Sequence, residues 1–147
     1  MSRPHYETLL HNLARCGVYH APRQGLAELL AAAGALGFAT VRIDLSKVRD
    51  KDGLFERLAS ALAFPDWFGR NWDALADCLG DLSWLPAEGY LILLENCDDF
   101  RARQVGDFAT ALQVFAAAAD AWRAERVPFW ALADMHADGI AYLPELG

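Results

Sequence analysis

Apolar residues recur along the chain with two spacings, one typical of helices and one typical of strands. Helical spacing of three and four positions marks five segments, residues 4–15, 24–36, 50–64, 71–79 and 105–122. The segment TVRIDL, residues 40–45, alternates apolar and polar positions as a half-buried strand does. Further strands are predicted by three short apolar runs, GVYH at 17–20, YLILLE at 90–95 and PFWALA at 128–133.

This order of segments predicts an α/β fold, because strands separated by helices pair in parallel through crossover helices. We expect a small, mainly parallel β-sheet of three to four strands covered by helices. The run YLILLE lacks polar alternation, so that strand should be covered on both faces. No linker, repeat or low-complexity tract interrupts the 147 residues, and one domain is therefore predicted over 1–147.

Composition narrows the classes of function. A net charge of −7 disfavours binding to nucleic acid or to an anionic membrane surface, since both need clustered Lys and Arg. The first residues do not resemble a signal peptide, and no apolar run reaches the ~20 residues of a membrane span. We therefore expect a cytoplasmic protein. No glycine-rich phosphate loop is present and no cofactor is predicted.

The three cysteines, Cys16, Cys78 and Cys97, are an odd number without CxxC spacing. Such a set does not favour a disulfide framework or a zinc site. We interpret them as reduced, packed thiols. Cys78 has no histidine beside it and is not expected to act as a nucleophile.

The negative charge is concentrated in one segment. Between Asp66 and Asp99 there are eight acidic residues and one basic residue, Arg70, whereas the rest of the chain holds twelve of each kind. All of the net charge of −7 therefore belongs to this segment. We expect it to form an acidic face.

The densest part of this segment is FPDWFGRNWDALADCLGD, residues 64–81. Asn71 is a good N-cap for a short helix, and Asp73 then lies in the first turn, where the helix dipole favours a carboxylate. Asp77 follows one turn later on the same face, where like charges mildly destabilise a helix. Helix stability therefore does not explain Asp77, and we interpret it as a contact residue.

The remaining residues of this motif divide between a buried side and an exposed side. Trp67 and Phe68 are adjacent, so one ring should pack inward and the other should face solvent. Gly69 can adopt a positive φ and turn the loop sharply. We place Trp72 on or near the outer side. The apolar side that we expect to be buried consists of Leu75, Cys78 and Leu79.

The stretch WFGRNWDALADCLG, residues 67–80, resembles the barstar family, the intracellular inhibitors of barnase-type ribonucleases. The shared pattern is two aromatics, Gly, any residue, Asn, a hydrophobic residue and then DAL-x-DCL. A second match is LQVF, residues 112–115, on the longest predicted helix. The resemblance spans about residues 40–134. It implies a barstar-like core there, with residues 1–39 as an N-terminal helical extension packed on it.

The resemblance implies that the loop and short helix block a ribonuclease active site, with acidic side chains in the places of substrate phosphates. Asp73 and Asp77 correspond to the family's two helix carboxylates and Trp67 to its stacking ring. The implied partner is a basic ribonuclease or another basic toxin, bound by a monomer in a 1:1 complex. The predicted partner-binding residues are Trp67, Phe68, Gly69, Asn71, Trp72, Asp73, Ala76, Asp77, Asp81 and Trp84.

The chain departs from the family pattern at three positions. Ala76 stands where the family has a tryptophan before the second helix aspartate, and Ala117 where it has a glutamate after LQVF. Leu82 replaces a tryptophan that follows the helix, although Trp84 is near enough to substitute. We expect these departures to change which ribonuclease is recognised.

Two other functions remain open at this point. One is an immunity or antitoxin role of a barstar fold against a different toxin class. The other is an enzyme that uses Asp73 and Asp77 as acid and base, which is disfavoured because a convex helix has no cleft to perturb their pKa values.

The segment DMHAD offers a candidate metal site through Asp134, His136 and Asp138. Two carboxylates and a histidine in a loop are common without a metal, so no metal site is predicted.

Overall fold

A computed structural model of the chain describes residues 3–136, and the side chains from Tyr6 onward. The strands are β1 (Val18–His20), β2 (Phe38–Asp44), β3 (Gly89–Glu95) and β4 (Phe129–Ala133). The helices are α1 (Arg3–Leu10), α2 (Leu26–Ala35), α3 (Lys51–Ala61), α4 (Trp72–Asp81), α5 (Asp98–Arg103) and α6 (Val105–Ala124), with a short 3-10 helix at Leu13–Arg15.

The four strands form one parallel sheet in the order β1-β4-β3-β2. The register of β2 with β3 runs from Phe38 opposite Gly89 to Asp44 opposite Glu95. The predicted α/β fold with a small parallel sheet is thereby confirmed. In β2, which lies at an edge, Ile43 is buried whereas its neighbours in sequence are exposed, as the alternating pattern predicted.

Both faces of the sheet are covered, so successive side chains of β3 enter two different cores. Tyr90, Ile92 and Leu94 join the core beneath α3, α4 and α6. Leu91 and Leu93 point the other way, into the core beneath α1 and α2. This double cover explains why the strand is apolar throughout, as the sequence predicted.

The N-terminal segment forms the cover of this second face. Its helices pack Leu9, Leu10 and Leu29 against Trp130, and the Trp130 indole donates a hydrogen bond of 3.1 Å to the Leu10 carbonyl. Arg123 of α6 donates to the carbonyl of Leu13, at 2.8 Å, and to that of Cys16. β1 also extends the sheet beyond β4.

Several element boundaries differ from the sequence prediction. The first helix ends at Leu10, because Asn12 caps a separate 3-10 turn through the Ala14 amide. α3 begins after its N-cap Asp50, at the start of the predicted segment 50–64, but it ends at Ala61, and Ala63 has a left-handed backbone with φ of 53°. Helix α5 was not predicted.

Among residues 3–136, no helix combines the length and the apolar composition that a membrane span requires.

Candidate partner-binding surface

The motif found in the sequence forms a loop, a helix and a turn, residues 64–84, which we call the acidic loop-helix. Asn71 is the N-cap of α4, and its side-chain oxygen accepts a hydrogen bond of 2.7 Å from the Ala74 amide. The helix ends at Leu82, which has a left-handed backbone with φ of 49°. The predicted cap is therefore correct, and the two ends fix the length and direction of α4.

The inner face of α4 is apolar and packs against α6. The Trp122 indole of α6 donates a hydrogen bond of 2.8 Å to the Leu79 carbonyl, which ties the two helices together. This contact also holds the exposed face of α4 in a fixed orientation. The side chains of this helix that are fully buried, as predicted, are Leu75, Cys78 and Leu79.

The outer face of α4 carries three exposed carboxylates at intervals of one turn, Asp73, Asp77 and Asp81. Within residues 3–136, none of the three makes a hydrogen bond or an ion pair with another side chain. Three unpaired like charges on one short helix do not stabilise it. Helix stability therefore does not explain why the helix carries all three charges.

The two adjacent rings of the loop take opposite orientations, as the sequence predicted. Phe68 packs inward, with ring centroids 5.9 Å from Phe55 and 4.9 Å from Phe64. Trp67 is 59% exposed, which is unusual for so large an apolar side chain. The exposed ring therefore lies on the loop that leads into α4, and the neighbouring Phe68 anchors this loop to the core.

Trp72, which we expected on or near the outer side, is only partly exposed and packs against the core. Its ring is half-buried and lies 4.9 Å from the ring of Phe55, nearly edge to face. Phe55 is 17 positions earlier in the chain, so the contact depends on the tertiary fold and not on the helix pattern.

Trp84 packs against the loop through the rings of Phe64 and Trp67. Its indole donates a hydrogen bond of 2.9 Å to the Leu62 carbonyl, and the ring is half-buried. Ring centroids of Phe64 and Trp67 each lie 6.1 Å away at nearly perpendicular angles. The exposed Trp67 ring thus packs against Trp84, whose indole is held in place by its hydrogen bond to Leu62.

The sharp turn of the loop is made by Arg70 and not by Gly69, which corrects the sequence prediction. Arg70 has φ of 54°, in the left-handed region, whereas Gly69 lies outside that region. A Cβ at Gly69 would lie 3.5 Å from the Ala74 Cβ, an ordinary contact distance. The chain reverses at Arg70 so that Asn71, with an extended φ of −141°, reaches its capping position.

The acidic segment of the sequence divides into two parts, so it does not form one continuous acidic face. Beyond the start of β3 its carboxylates have cationic partners: Glu95 pairs with Arg42 at 2.7 Å, and Asp99 with Arg103 at 3.4 Å. Apart from Glu88, the acidic residues of this segment that have no ion pair within residues 3–136 lie on the acidic loop-helix.

Side chains that follow the carboxyl ends of β2, β3 and β4 bind one another through hydrogen bonds. Asp44 accepts hydrogen bonds from the Asn96 amide and the Ser46 backbone, which lower the pKa of Asp44 to about 2. Asp98 accepts a hydrogen bond from the His136 backbone amide and contacts His136 Nδ1 at 2.8 Å.

Of the candidate metal ligands, Asp138 lies outside the described residues. Residues 3–136 contain no group of three or more His, Cys, Asp or Glu side chains arranged to hold a metal ion.

Cys78 lies beneath the carboxylates, and its burial raises the pKa of the thiol. The charges of Asp77 and Asp81 raise that pKa further. The thiol therefore stays protonated at neutral pH and is a packing group, in agreement with the sequence prediction. All three cysteines are buried and free.

The two alanines that depart from the family pattern are both exposed, Ala76 on α4 and Ala117 on α6. These are the two helices that pack against each other. Neither exposed alanine supplies the ring or the acid that the resemblance implies at its position.

A family model described as Barstar (barnase inhibitor) matches residues 38–134, which is well over half of the chain. No curated protein matches the chain at a significant level. The matched region begins at β2, ends just after β4 and contains the whole acidic loop-helix. Together with the parallel sheet and the acidic helix, this match shows that the chain belongs to the barstar family.

Proposed function

We propose that this chain binds a basic barnase-type ribonuclease and blocks its active site with the acidic loop-helix, protecting the cytoplasm of the cell that produces both. One observation carries the proposal. The segment that matches the family motif presents three carboxylates that pair with no side chain of residues 3–136, on a firmly held helix, and an exposed tryptophan on the loop before it.

The proposed inhibition follows from charge and shape. A ribonuclease holds its phosphodiester substrate with cationic side chains, and carboxylates four residues apart on a helix, about 6 Å along the axis, can pair with several of them. The Trp67 ring offers a face on which a base-binding region can stack. We assign direct contact to Trp67, Gly69, Asn71, Asp73, Ala76, Asp77 and Asp81, and assign Phe68, Trp72 and Trp84 to the support of that surface.

An enzymatic role is disfavoured by the same geometry. Asp73 and Asp77 are exposed on a convex helix, where nothing excludes water from either carboxylate. An open groove on the surface is lined by residues of the 47–60 segment and by none of α4. The family is moreover one of inhibitors.

A second candidate is immunity against a different toxin class. It is favoured by Ala76 and Ala117, because they leave the barstar-like surface without a ring and a carboxylate that the resemblance implies. The two candidates share a basic protein partner and a 1:1 complex, and they differ in the enzyme that is neutralised.

The proposal predicts a steep salt dependence of association. The rate constant of association with the inhibited ribonuclease should fall at least about tenfold between low and physiological ionic strength, since charge steering is screened over ~8 to 10 Å there. Stopped-flow mixing at several salt concentrations measures this slope. A rate constant that does not change with salt would contradict electrostatic recognition.

A matched pair of variants locates the steering charge. One carries Asp73→Asn, Asp77→Asn and Asp81→Asn. The control removes three exposed acids elsewhere, through Glu28→Gln, Glu56→Gln and Glu125→Gln. Only the first variant should lose most of the salt dependence. Equal losses in both would assign steering to net charge rather than to the acidic loop-helix.

A further inference from the structure

Arg70 is a cation placed in the middle of the acidic loop-helix. It is the only Lys or Arg between Arg57 and Arg101, and Asp66 and Asp73 lie four and three positions away. The side chain is exposed. A surface that serves only to attract a basic partner would gain from an uncharged or acidic residue at this position.

The guanidinium of Arg70 makes no hydrogen bond and no ion pair within residues 3–136. Arg42, Arg103 and Arg123, by contrast, each bind a carboxylate. Arg70 is therefore available for a contact outside the chain, although carboxylates are close to it in sequence.

The backbone at this position does not favour arginine either. Arg70 has a left-handed φ of 54°, a conformation that glycine adopts without strain and that asparagine tolerates better than other side chains. The turn itself could be made at lower cost by those residues. An outlying backbone conformation within a binding loop is a reason to look for a functional role of the side chain.

We propose that Arg70 binds a carboxylate on the cognate ribonuclease, next to the cations that receive Asp73 and Asp77. This inference rests on the proposed function and adds a statement about the partner, which must carry an acidic residue within its otherwise basic binding surface. A basic ribonuclease without that acid would place its own cations opposite Arg70 and be repelled. Arg70 is in this way a specificity residue that rejects related enzymes.

The test uses purified barnase-type ribonucleases and takes as probe the one that the unmodified chain inhibits most tightly. The variants are Arg70→Glu and Arg70→Gln, with Arg23→Glu as control. Arg23 is exposed in the turn between β1 and α2, so both glutamate variants change the net charge equally. Surface plasmon resonance gives association and dissociation rates, and circular dichroism melting checks that each variant is folded.

We expect Arg70→Glu to dissociate at least about tenfold faster, even though its added negative charge favours a basic partner at long range. Arg70→Gln should dissociate faster by a smaller factor. Arg23→Glu should keep the original dissociation rate and associate slightly faster.

The inference is overturned if both Arg70 variants melt normally and dissociate no faster than the unmodified chain. Inhibition by the unmodified chain would then still stand, and with it the proposed function. If Arg70→Glu is unstable, the inference is overturned when Arg70→Gln dissociates no faster than the unmodified chain. Failure of the unmodified chain to inhibit any of these ribonucleases would overturn the proposed function itself, and this inference with it.

Discussion

The Asp77→Ala variant is expected to bind its cognate ribonuclease about 2 to 5 kcal/mol more weakly than the unmodified chain, a general range to which barnase–barstar measurements contribute. Asp77 is exposed and pairs with no side chain that the structure describes, so its carboxylate is available to a cation that loses its water in the complex. Removal of the carboxylate leaves that cation buried without a partner. The loss should therefore appear mainly in the dissociation rate.

Folding should be almost unaffected by the same change. Within residues 3–136, the Asp77 carboxylate makes no hydrogen bond or ion pair that would stabilise α4, and its removal relieves repulsion from Asp73 and Asp81. Asp52→Ala is the matched control, because it removes one exposed helical aspartate and the same charge from α3. Melting curves and inhibition constants of both variants are compared. An early melting transition of Asp77→Ala with normal affinity once folded would show that Asp77 is structural.

Leu75→Ala should give the opposite result, a loss of folding stability with little change in binding. Leu75 is fully buried in the core that α4 shares with the sheet, and truncation of such a leucine commonly costs about 2 to 5 kcal/mol of unfolding free energy. Urea denaturation measures the loss. Leu75→Met is the control, since it nearly preserves side-chain volume and should cost less than about 1.5 kcal/mol.

Binding by Leu75→Ala is measured where the variant is still folded, at low temperature and without denaturant. Its affinity should then equal that of the unmodified chain, because Leu75 does not reach the exposed face of α4. A loss of affinity greater than the unfolded fraction explains would mean that the core residue controls the shape of the binding surface.

Much of the fold could be predicted because local pattern and tertiary environment agree. The side chains of β3 are apolar along almost the whole strand because helices cover both faces of the sheet. The apolar run in the sequence therefore predicted that both faces of this strand are covered. The α4 helix begins at Asn71 because this side chain satisfies the amide of Ala74 three residues on, a rule that needs only local sequence.

The features that could not be predicted depend on contacts between distant residues or on backbone details. The Trp72 ring packs against Phe55, which belongs to helix α3. The left-handed turn falls on Arg70 although Gly69 is the residue with the greater conformational freedom, because the position of Asn71 as N-cap decides where the chain reverses. The pairing of β1 with β4 follows from tertiary packing, and a three-residue strand carries little signal of its own.

Titration of ribonuclease activity with increasing amounts of the chain measures the proposed inhibition itself. The panel includes barnase and related basic ribonucleases, among them enzymes encoded near the gene for this chain. We expect complete inhibition of a cognate enzyme at a 1:1 ratio, and far weaker inhibition of barnase, because Ala76 and Ala117 lack the ring and carboxylate that the family resemblance implies. Equal inhibition of both enzymes would show that these two positions carry no specificity, and full activity of every ribonuclease in the panel at excess inhibitor would contradict the proposed function.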